Sequence, residues 1–397
     1  MEFNKFKVSS LMDITARPDL VFLRGHGSWL EDDTGKKYLD FIQGWAVNCL
    51  GHSPKEVVNA LSEQSRLLIN PSPAFYNKPS VELATSLVDA SCFDHVFFAN
   101  SGAEANEGAI KLARKWGKVH KKGAYKIITM KDSFHGRTLA TMSASGKPGW
   151  DSIFPPRMEG FIKAGLNDIE SVKELIDDDV VAIMLEPVQG EAGVIPSDKK
   201  FMQDLRKIAD LNNLLLIVDE VQTGMGRTGT LFAYQQYDIV PDIMTLGKGI
   251  GGGIPLSALL ARDSVCVFSH GDQGGTYNGN PLCTAVGLSV LNAINNSNFM
   301  KSVVVNSDFL SQGLSNISDK YDMNGERGMG LLRALVLNSD DAPAIVELAR
   351  NSGPTGLLLN APRSNLLRFM PALNVSKDEI SLMLEMLDNL ISKILKR

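Results

Sequence analysis

Three ionisable residues each stand at the end of a short apolar run. Glu186 follows Val180–Leu185, Asp219 follows residues 214–218, and Lys248 lies one residue beyond Ile243–Leu246. Runs of this length, alternating with helical periodicity, read as strands of a mostly parallel sheet. In open α/β sheets ligands bind outside the carboxyl ends of the strands, so the three groups are expected to converge on one crevice. Asp219 and Glu220 cannot both be surface decoration if their strand is central, because an unpaired buried charge is costly. A structural ion pair between Asp219 and Lys248 is the plainer alternative. Lys248 is flanked by Gly247 and Gly249, with Gly251, Gly252 and Gly253 close behind. A lysine enclosed near another cation loses basicity and becomes a nucleophilic amine able to form a Schiff base. Further upstream, Ser101-Gly102-Ala103-Glu104 joins a strand candidate to a helix and fits a capping box. Free amides and the positive end of a helix there make an anion site; a plain helix cap is the simpler alternative. A Schiff-base lysine, an acid for a pyridinium nitrogen and a phosphate cradle together describe a pyridoxal-phosphate site.

The elements that must position these groups can be read from the same pattern. Residues 96–99 and 127–130 are further strand candidates. The helix after Gly102 carries Ala109, Leu112, Ala113 and Trp116 on one stripe, and a helix over 198–211 buries Phe201, Met202, Leu205, Ile208 and Ala209. The last hundred residues hold shorter runs and end in an amphipathic helix. Ser376 and Glu379 cap it, and Ile380, Leu384, Leu387, Ile391 and Ile394 form its apolar stripe. The expected organisation is an α/β chain with a large domain over 51–295 and a smaller α/β C-terminal domain over 296–397. The segment 1–50 is expected to pack with the small domain or with a partner subunit.

Composition narrows the function. The 397 residues carry a formal charge of −5 and are 44% hydrophobic, the profile of a globular chain with no basic footprint for nucleic acid. No apolar run approaches the roughly 20 residues of a membrane helix, and MEFNKFKVSSLMD has no apolar signal core, so a cytoplasmic enzyme without a membrane partner is expected. The four cysteines form no CxxC pair and the six histidines have no ligand spacing; free thiols and no metal are expected. Gly224-Met225-Gly226-Arg227-Thr228-Gly229 fits GxGxxG, with Asp242 near the acidic position of a dinucleotide fingerprint. A dinucleotide-dependent oxidoreductase is therefore the alternative from a different chemistry. Against it, residues 219–223 separate the glycines from their strand, and no helical pattern opens at Gly229.

Taken together, Asn100-Ser101-Gly102-Ala103-Glu104-Ala105-Asn106, Phe134-His135-Gly136-Arg137-Thr138, Glu186-Pro187-Val188-Gln189-Gly190-Glu191, DEVQTG from Asp219, Gly247-Lys248-Gly249 and Gly275-Thr276-Tyr277-Asn278 resemble the class III pyridoxal-phosphate aminotransferases. The likeness extends in order and spacing from Tyr38-Leu39-Asp40-Phe41 to Leu366-Leu367-Arg368-Phe369. It implies the fold-type-I architecture. It implies that Lys248 carries the cofactor and later moves a proton, and that Asp219 keeps the pyridine nitrogen protonated. Gln222 would touch the ring's phenolic oxygen, Phe134 would stack on the ring, and Ser101, Gly102 and Ala103 would line the phosphate, with Glu186 in support. Thr276 would reach the phosphate of the neighbouring subunit's cofactor, so a homodimer is implied. Arg137 would hold a substrate carboxylate. Glu191 and Arg368 would form a dual-substrate switch, paired for the amino donor and parted for 2-oxoglutarate. The implied reaction moves the δ-amino group of N2-acetylornithine to 2-oxoglutarate, with succinylornithine, ornithine or 4-aminobutyrate as alternative donors. Ala192 stands where the family has glycine, Gly247 where it has alanine, and no tyrosine stands near Thr15; residues 12–17 and 72–76 are expected to set the donor.

Overall fold

The computed structural model describes residue 6 and residues 8–395. Residues 1–5 and 7, inside the N-terminal stretch read above for a signal sequence, and residues 396–397 lie outside the described residues. Seven strands build the central sheet: β1 His95–Ala99, β2 Lys126–Met130, β3 Phe161–Ala164, β4 Val180–Leu185, β5 Leu215–Asp219, β6 Ile243–Leu246 and β7 Ser257–Ala261. Their order is β1-β7-β6-β5-β4-β2-β3. β7 runs antiparallel to both neighbours, and every other adjacent pair is parallel.

Every residue of β4 and β5 is buried. Burial on both faces is why these central strands are unbroken aliphatic runs rather than alternating ones. β5 ends on Asp219 itself, in register with Thr245 of β6. Two strands escape sequence reading for physical reasons. β3 is an edge strand of mixed character, Phe-Ile-Lys-Ala, and β7 is a short run emerging directly from a glycine-rich turn.

Helix α1, Gly102–His120, buries Ala105, Ala109, Leu112, Ala113 and Trp116. After it come the short α2, Leu139–Ala144, and α3, Lys199–Leu211, which buries the five apolar residues of its stripe. At the end of the chain lies α4, Lys377–Leu395. Its cap is a reciprocal box: the Ser376 amide and hydroxyl donate to Glu379 Oε2 at 2.9 and 3.0 Å, and the Glu379 amide donates to Ser376 Oγ at 3.2 Å. Among the described residues no helix is long and apolar enough to cross a membrane.

Two smaller sheets carry the rest. Strands Phe22–His26, Trp29–Asp32 and Lys37–Asp40 pair antiparallel, and Lys37–Asp40 pairs in parallel with Thr355–Leu358. Strands Glu326–Met329, Leu332–Val336, Leu366–Phe369 and Asn360–Arg363 form an antiparallel sheet in that order. The chain beyond Lys37–Asp40 then ties the sheets together. The Met370 amide donates to Phe41 O at 2.8 Å, the Leu373 amide donates to Cys49 O at 2.8 Å, and the Cys49 thiol donates to Gly249 O at 3.2 Å. The strand bearing Arg368 is thereby fastened beside the turn bearing Lys248.

The spacing of α1 from the sheet gives a test. A β-carbon on Gly117 would lie 2.0 Å from Ala124 O and 2.8 Å from Val181 Cγ2. Alanine normally stabilises a helix interior by about 1 kcal/mol over glycine. Here the clash with a backbone carbonyl reverses the sign: Gly117→Ala is expected to destabilise by roughly 1–3 kcal/mol, read as a lower melting temperature. An unchanged or higher value would mean that the packing is loose enough to absorb the methyl.

Candidate active site

Strands β1, β2, β4, β5 and β6 share one direction, so the residues that follow them emerge on one edge of the sheet. Asp219 is the centre of the polar network there and is 3% exposed. Its Oδ2 accepts from Asn106 Nδ2 at 2.7 Å and pairs with His135 Nδ1 at 2.7 Å. Its Oδ1 accepts the Val221 amide at 3.0 Å. An ionised carboxylate only accepts, so the imidazole is the donor in that contact. Thr245 donates its hydroxyl to Asn106 Oδ1 at 2.7 Å, which turns the Asn106 amide group toward Asp219. Oδ2 is thus committed to two side-chain donors, while Oδ1 keeps capacity for one more.

Lys248 makes no ion pair among the described residues. Enclosure, with the positive charge of Arg368, lowers its pKa to about 8, against the pull of Glu191, Asp219 and Glu186. Its backbone has φ 45°, a left-handed conformation that a side-chain-bearing residue adopts at a cost of about 1–3 kcal/mol and that is concentrated at functional sites. The alternative of an Asp219–Lys248 ion pair is not what the structure contains. Glu186 accepts the Phe134 amide at 3.0 Å; burial first, then the charge of Asp219, pushes it well above the usual carboxylate range.

Two of the charges acting on Lys248 pair with each other: Glu191 Oε1 accepts from Arg368 Nη2 at 2.8 Å. Arg368 is 1% exposed; its Nε donates to Asn360 Oδ1 at 2.9 Å, and its Nη1 has no partner. Burial raises the pKa of Glu191, but the cations around it, Arg368 foremost, bring it below the ordinary value. Glu191 lies in the turn between Val188–Gln189 and Ile195–Pro196, where the β-branched Val194 has φ 56°. Gln222 packs against the same turn: a β-carbon on Gly190 would fall 1.6 Å from Gln222 Oε1. Only glycine allows this approach.

Phe134 is half-buried, with its ring edge-on to Trp150 at 5.5 Å between centroids. Arg137 is exposed and lies over the Trp150 ring at 5.4 Å. At the start of α1, Ser101 Oγ accepts the Glu104 amide at 3.3 Å, and Glu104 Oε2 accepts the Ser101 hydroxyl and the Asn100 amide, both at 3.0 Å. The capping box therefore exists, and among the described residues the amides of Gly102 and Ala103 remain without acceptors. Thr276 is exposed in the loop before Pro281–Ile294 and, among the described residues, hydrogen-bonds to none of the other site residues. Its loop is joined to the site where Asn100 Nδ2 donates to Asn278 Oδ1 at 2.9 Å, and to α1 where Lys111 Nζ donates to Asp272 O at 2.7 Å.

His135, Asn106 and Asn360 belong to this network and escape sequence reading as functional residues. Asn106 had a usable signal, an amide on the buried stripe of an amphipathic helix, where it must find a partner. His135 sits next to Phe134 in a loop, and nothing in its spacing marks it. The glycines at 224–229 open no helix; the next helical turn is a short 3-10 segment, Ala233–Gln236. Asp242 accepts the Leu216 amide at 2.8 Å and pairs with Arg206 at 2.6 Å. Neither half of the dinucleotide fingerprint has its structural setting.

The donor set fits an aldehyde-bearing, phosphorylated pyridine. An amine of lowered basicity, a carboxylate with spare acceptor capacity and free helix amides open toward one edge of the sheet. Residues 14–391 match the family described as Aminotransferase class-III, and the chain belongs to that family. Its α/β sheet is the fold-type-I architecture of these pyridoxal-phosphate-dependent enzymes. Among similar proteins, an acetylornithine aminotransferase 2 of Bordetella pertussis is 69% identical over 396 residues, covering 100% of both chains. An acetylornithine aminotransferase of Ralstonia nicotianae is 62% identical, covering 98% of this chain and 99% of its own. Among solved structures, the N-acetylornithine aminotransferase of Stenotrophomonas maltophilia superposes with a TM-score of 0.83 at 36% identity, covering 96% of this chain and 98% of its own. The ornithine aminotransferase of Toxoplasma gondii superposes with a TM-score of 0.92 at 29% identity, covering 98% and 94%.

The setting of Lys248 gives a pH prediction. Its free-amine fraction should rise with pH around about 8, well below an ordinary lysine. The rate at which the cofactor-free protein recaptures pyridoxal phosphate should follow that fraction. Removing a nearby cation stabilises the protonated amine, so Arg368→Met should move the midpoint upward. A midpoint that stayed in place would show that Arg368 does not act on Lys248.

Proposed function

We propose that this chain is a cytoplasmic homodimer that transfers the δ-amino group of N2-acetylornithine to 2-oxoglutarate. The products are N-acetylglutamate 5-semialdehyde and glutamate, the transamination of arginine biosynthesis. The observation that carries the reading is the Glu191–Arg368 pair at 2.8 Å, with both charges acting on Lys248. A buried arginine masked by a movable carboxylate suits a site that must accept first a donor without a carboxylate at that end and then a diacid. The names of the relatives point the same way.

Bound pyridoxal phosphate would supply an aldehyde for the amino group and a ring that holds the electron pair left when a proton departs. The amine of Lys248 would hold the cofactor and, once displaced, take the proton from the amino-bearing carbon of the donor. Asp219, fixed by Asn106 and His135, would give its free acceptor capacity to the pyridine N–H. Gln222 would meet the phenolic oxygen and the half-buried Phe134 the ring face. The Gly102 and Ala103 amides, with Ser101, would receive the phosphate, and Glu186 would hold the Phe134 backbone. Arg137 would bind the donor's carboxylate, and Arg368, released by Glu191, that of 2-oxoglutarate.

A second copy would cover apolar side chains that this protomer leaves in water, among them Met12 at 82%, Phe75 at 68% and Tyr76 at 97% exposure. It would bring Thr276 to the partner's phosphate. On this reading the chain has a large domain over 51–295 and a small one over 296–397. Ornithine is the second donor to consider, because the ornithine aminotransferase fold superposes at a TM-score of 0.92.

Lys248→Ala should abolish turnover, and Asp219→Asn should reduce kcat by orders of magnitude while cofactor stays bound. Wild-type rates in either variant would remove that residue from the mechanism. The reaction is tested by following the absorbance of the purified holoenzyme on separate addition of N2-acetylornithine, ornithine and 4-aminobutyrate. Fast bleaching with N2-acetylornithine alone is expected; fast bleaching with only another amine would change the donor and keep the chemistry.

A further inference from the structure

Glu191 feels three cations, Arg368, Lys248 and Lys147, and two of them stand within 4 Å, one on each oxygen. Arg368 Nη2 holds Oε1 at 2.8 Å, and Lys147 Nζ stands 3.8 Å from Oε2. The two cations differ in setting. Arg368 is buried on its strand with an unpartnered Nη1, whereas Lys147 is 35% exposed and its ammonium lies over the Trp150 ring at 5.3 Å. That ring also lies under Arg137 and meets the edge of Phe134. Lys147 therefore belongs to the aromatic and cationic cluster beside the site, on the solvent side of the carboxylate.

This arrangement matters when Arg368 is needed by another carboxylate, a step that rests on the dual-substrate reading above. Glu191 must then give up its arginine. A partly enclosed carboxylate without a cation is unfavourable, and Lys147 already stands within reach of its free oxygen. The same attraction draws Glu191 away from Arg368 in the paired state. We propose that Lys147 is a positioning residue that provides the second seat of Glu191, so that it sets how readily Arg368 is freed for the carboxylate of the keto acid. Replacing Lys147 by a neutral side chain leaves Arg368 as the one cation within 4 Å of Glu191 among the described residues, and the keto acid must displace a more firmly held carboxylate. Charge pairs of this exposure are worth little individually, so a two- to fivefold effect (about) is the expected scale.

The test measures the two half-reactions of the holoenzyme separately, N2-acetylornithine with the aldehyde form of the cofactor and 2-oxoglutarate with its amine form. The readout is the ratio of their kcat/KM values. K147Q should shift that ratio against 2-oxoglutarate by about two- to fivefold, chiefly through KM, and K147R should restore it. A general loss of structure would lower both half-reactions together and leave the ratio in place. In an E191Q background, K147Q should have no further effect on the ratio. An unmoved ratio in K147Q, or the same shift with and without Glu191, would overturn the proposal while leaving the switch intact. If E191Q alone left the ratio at its wild-type value, the switch reading would fail and the second seat with it.

Discussion

Four ionisable side chains, Glu186, Asp219, Lys248 and Arg368, stand together at one edge of a sheet whose central strands are wholly buried. Water cannot solvate them freely, and each is accommodated differently. Asp219 is held by three donors and Arg368 by a carboxylate and an amide oxygen. Glu186 is biased toward its neutral, protonated form and Lys248 toward its free amine. The division is chemically useful. It sets a carboxylate held by three donors near an amine of lowered basicity, with the Arg368 guanidinium paired to Glu191.

The parts of the site that end strands were legible in the sequence, and the parts that support them were not. Glu186, Asp219 and Lys248 stood out because a charge directly after an aliphatic run has few bland explanations. His135 and Asn106 did not, although together they hold Asp219 Oδ2. Their roles depend on residues brought together by the fold from different elements, and no local period encodes that. The pairing of Glu191 with Arg368 spans 177 positions and entered through likeness to a family, not through spacing. For the fold, the buried parallel strands and amphipathic helices declared themselves. Edge strand β3 and antiparallel β7 did not, because neither is both long enough and uniform enough to separate from its surroundings.

The glycine-rich stretch that imitates a nucleotide loop has another use. Arg227, in its middle, is 2% exposed and donates to Leu331 O at 2.9 Å and Pro371 O at 2.6 Å. The Leu331 amide donates back to Arg227 O at 2.9 Å. Nearby, the buried Glu220 accepts the amides of Ala233 and Tyr234 at 2.6 and 2.7 Å. These residues join the loop after β5 to the segments flanking Arg368, so the element that carries Asp219 also anchors the strand that carries the arginine.

The site gathers groups from Ser101 to Arg368, most of the length of the chain. A parallel sheet forces this, since successive strands are separated by whole crossovers. No early fragment of the chain can therefore present the complete site, and non-local pairing of this kind is slow to form. Whatever is bound there engages only the finished fold and pulls the folding equilibrium toward it, by about 2.7 kcal/mol at a concentration one hundred times its dissociation constant. A cofactor held there would then also act as a thermodynamic seal on the assembly of the fold.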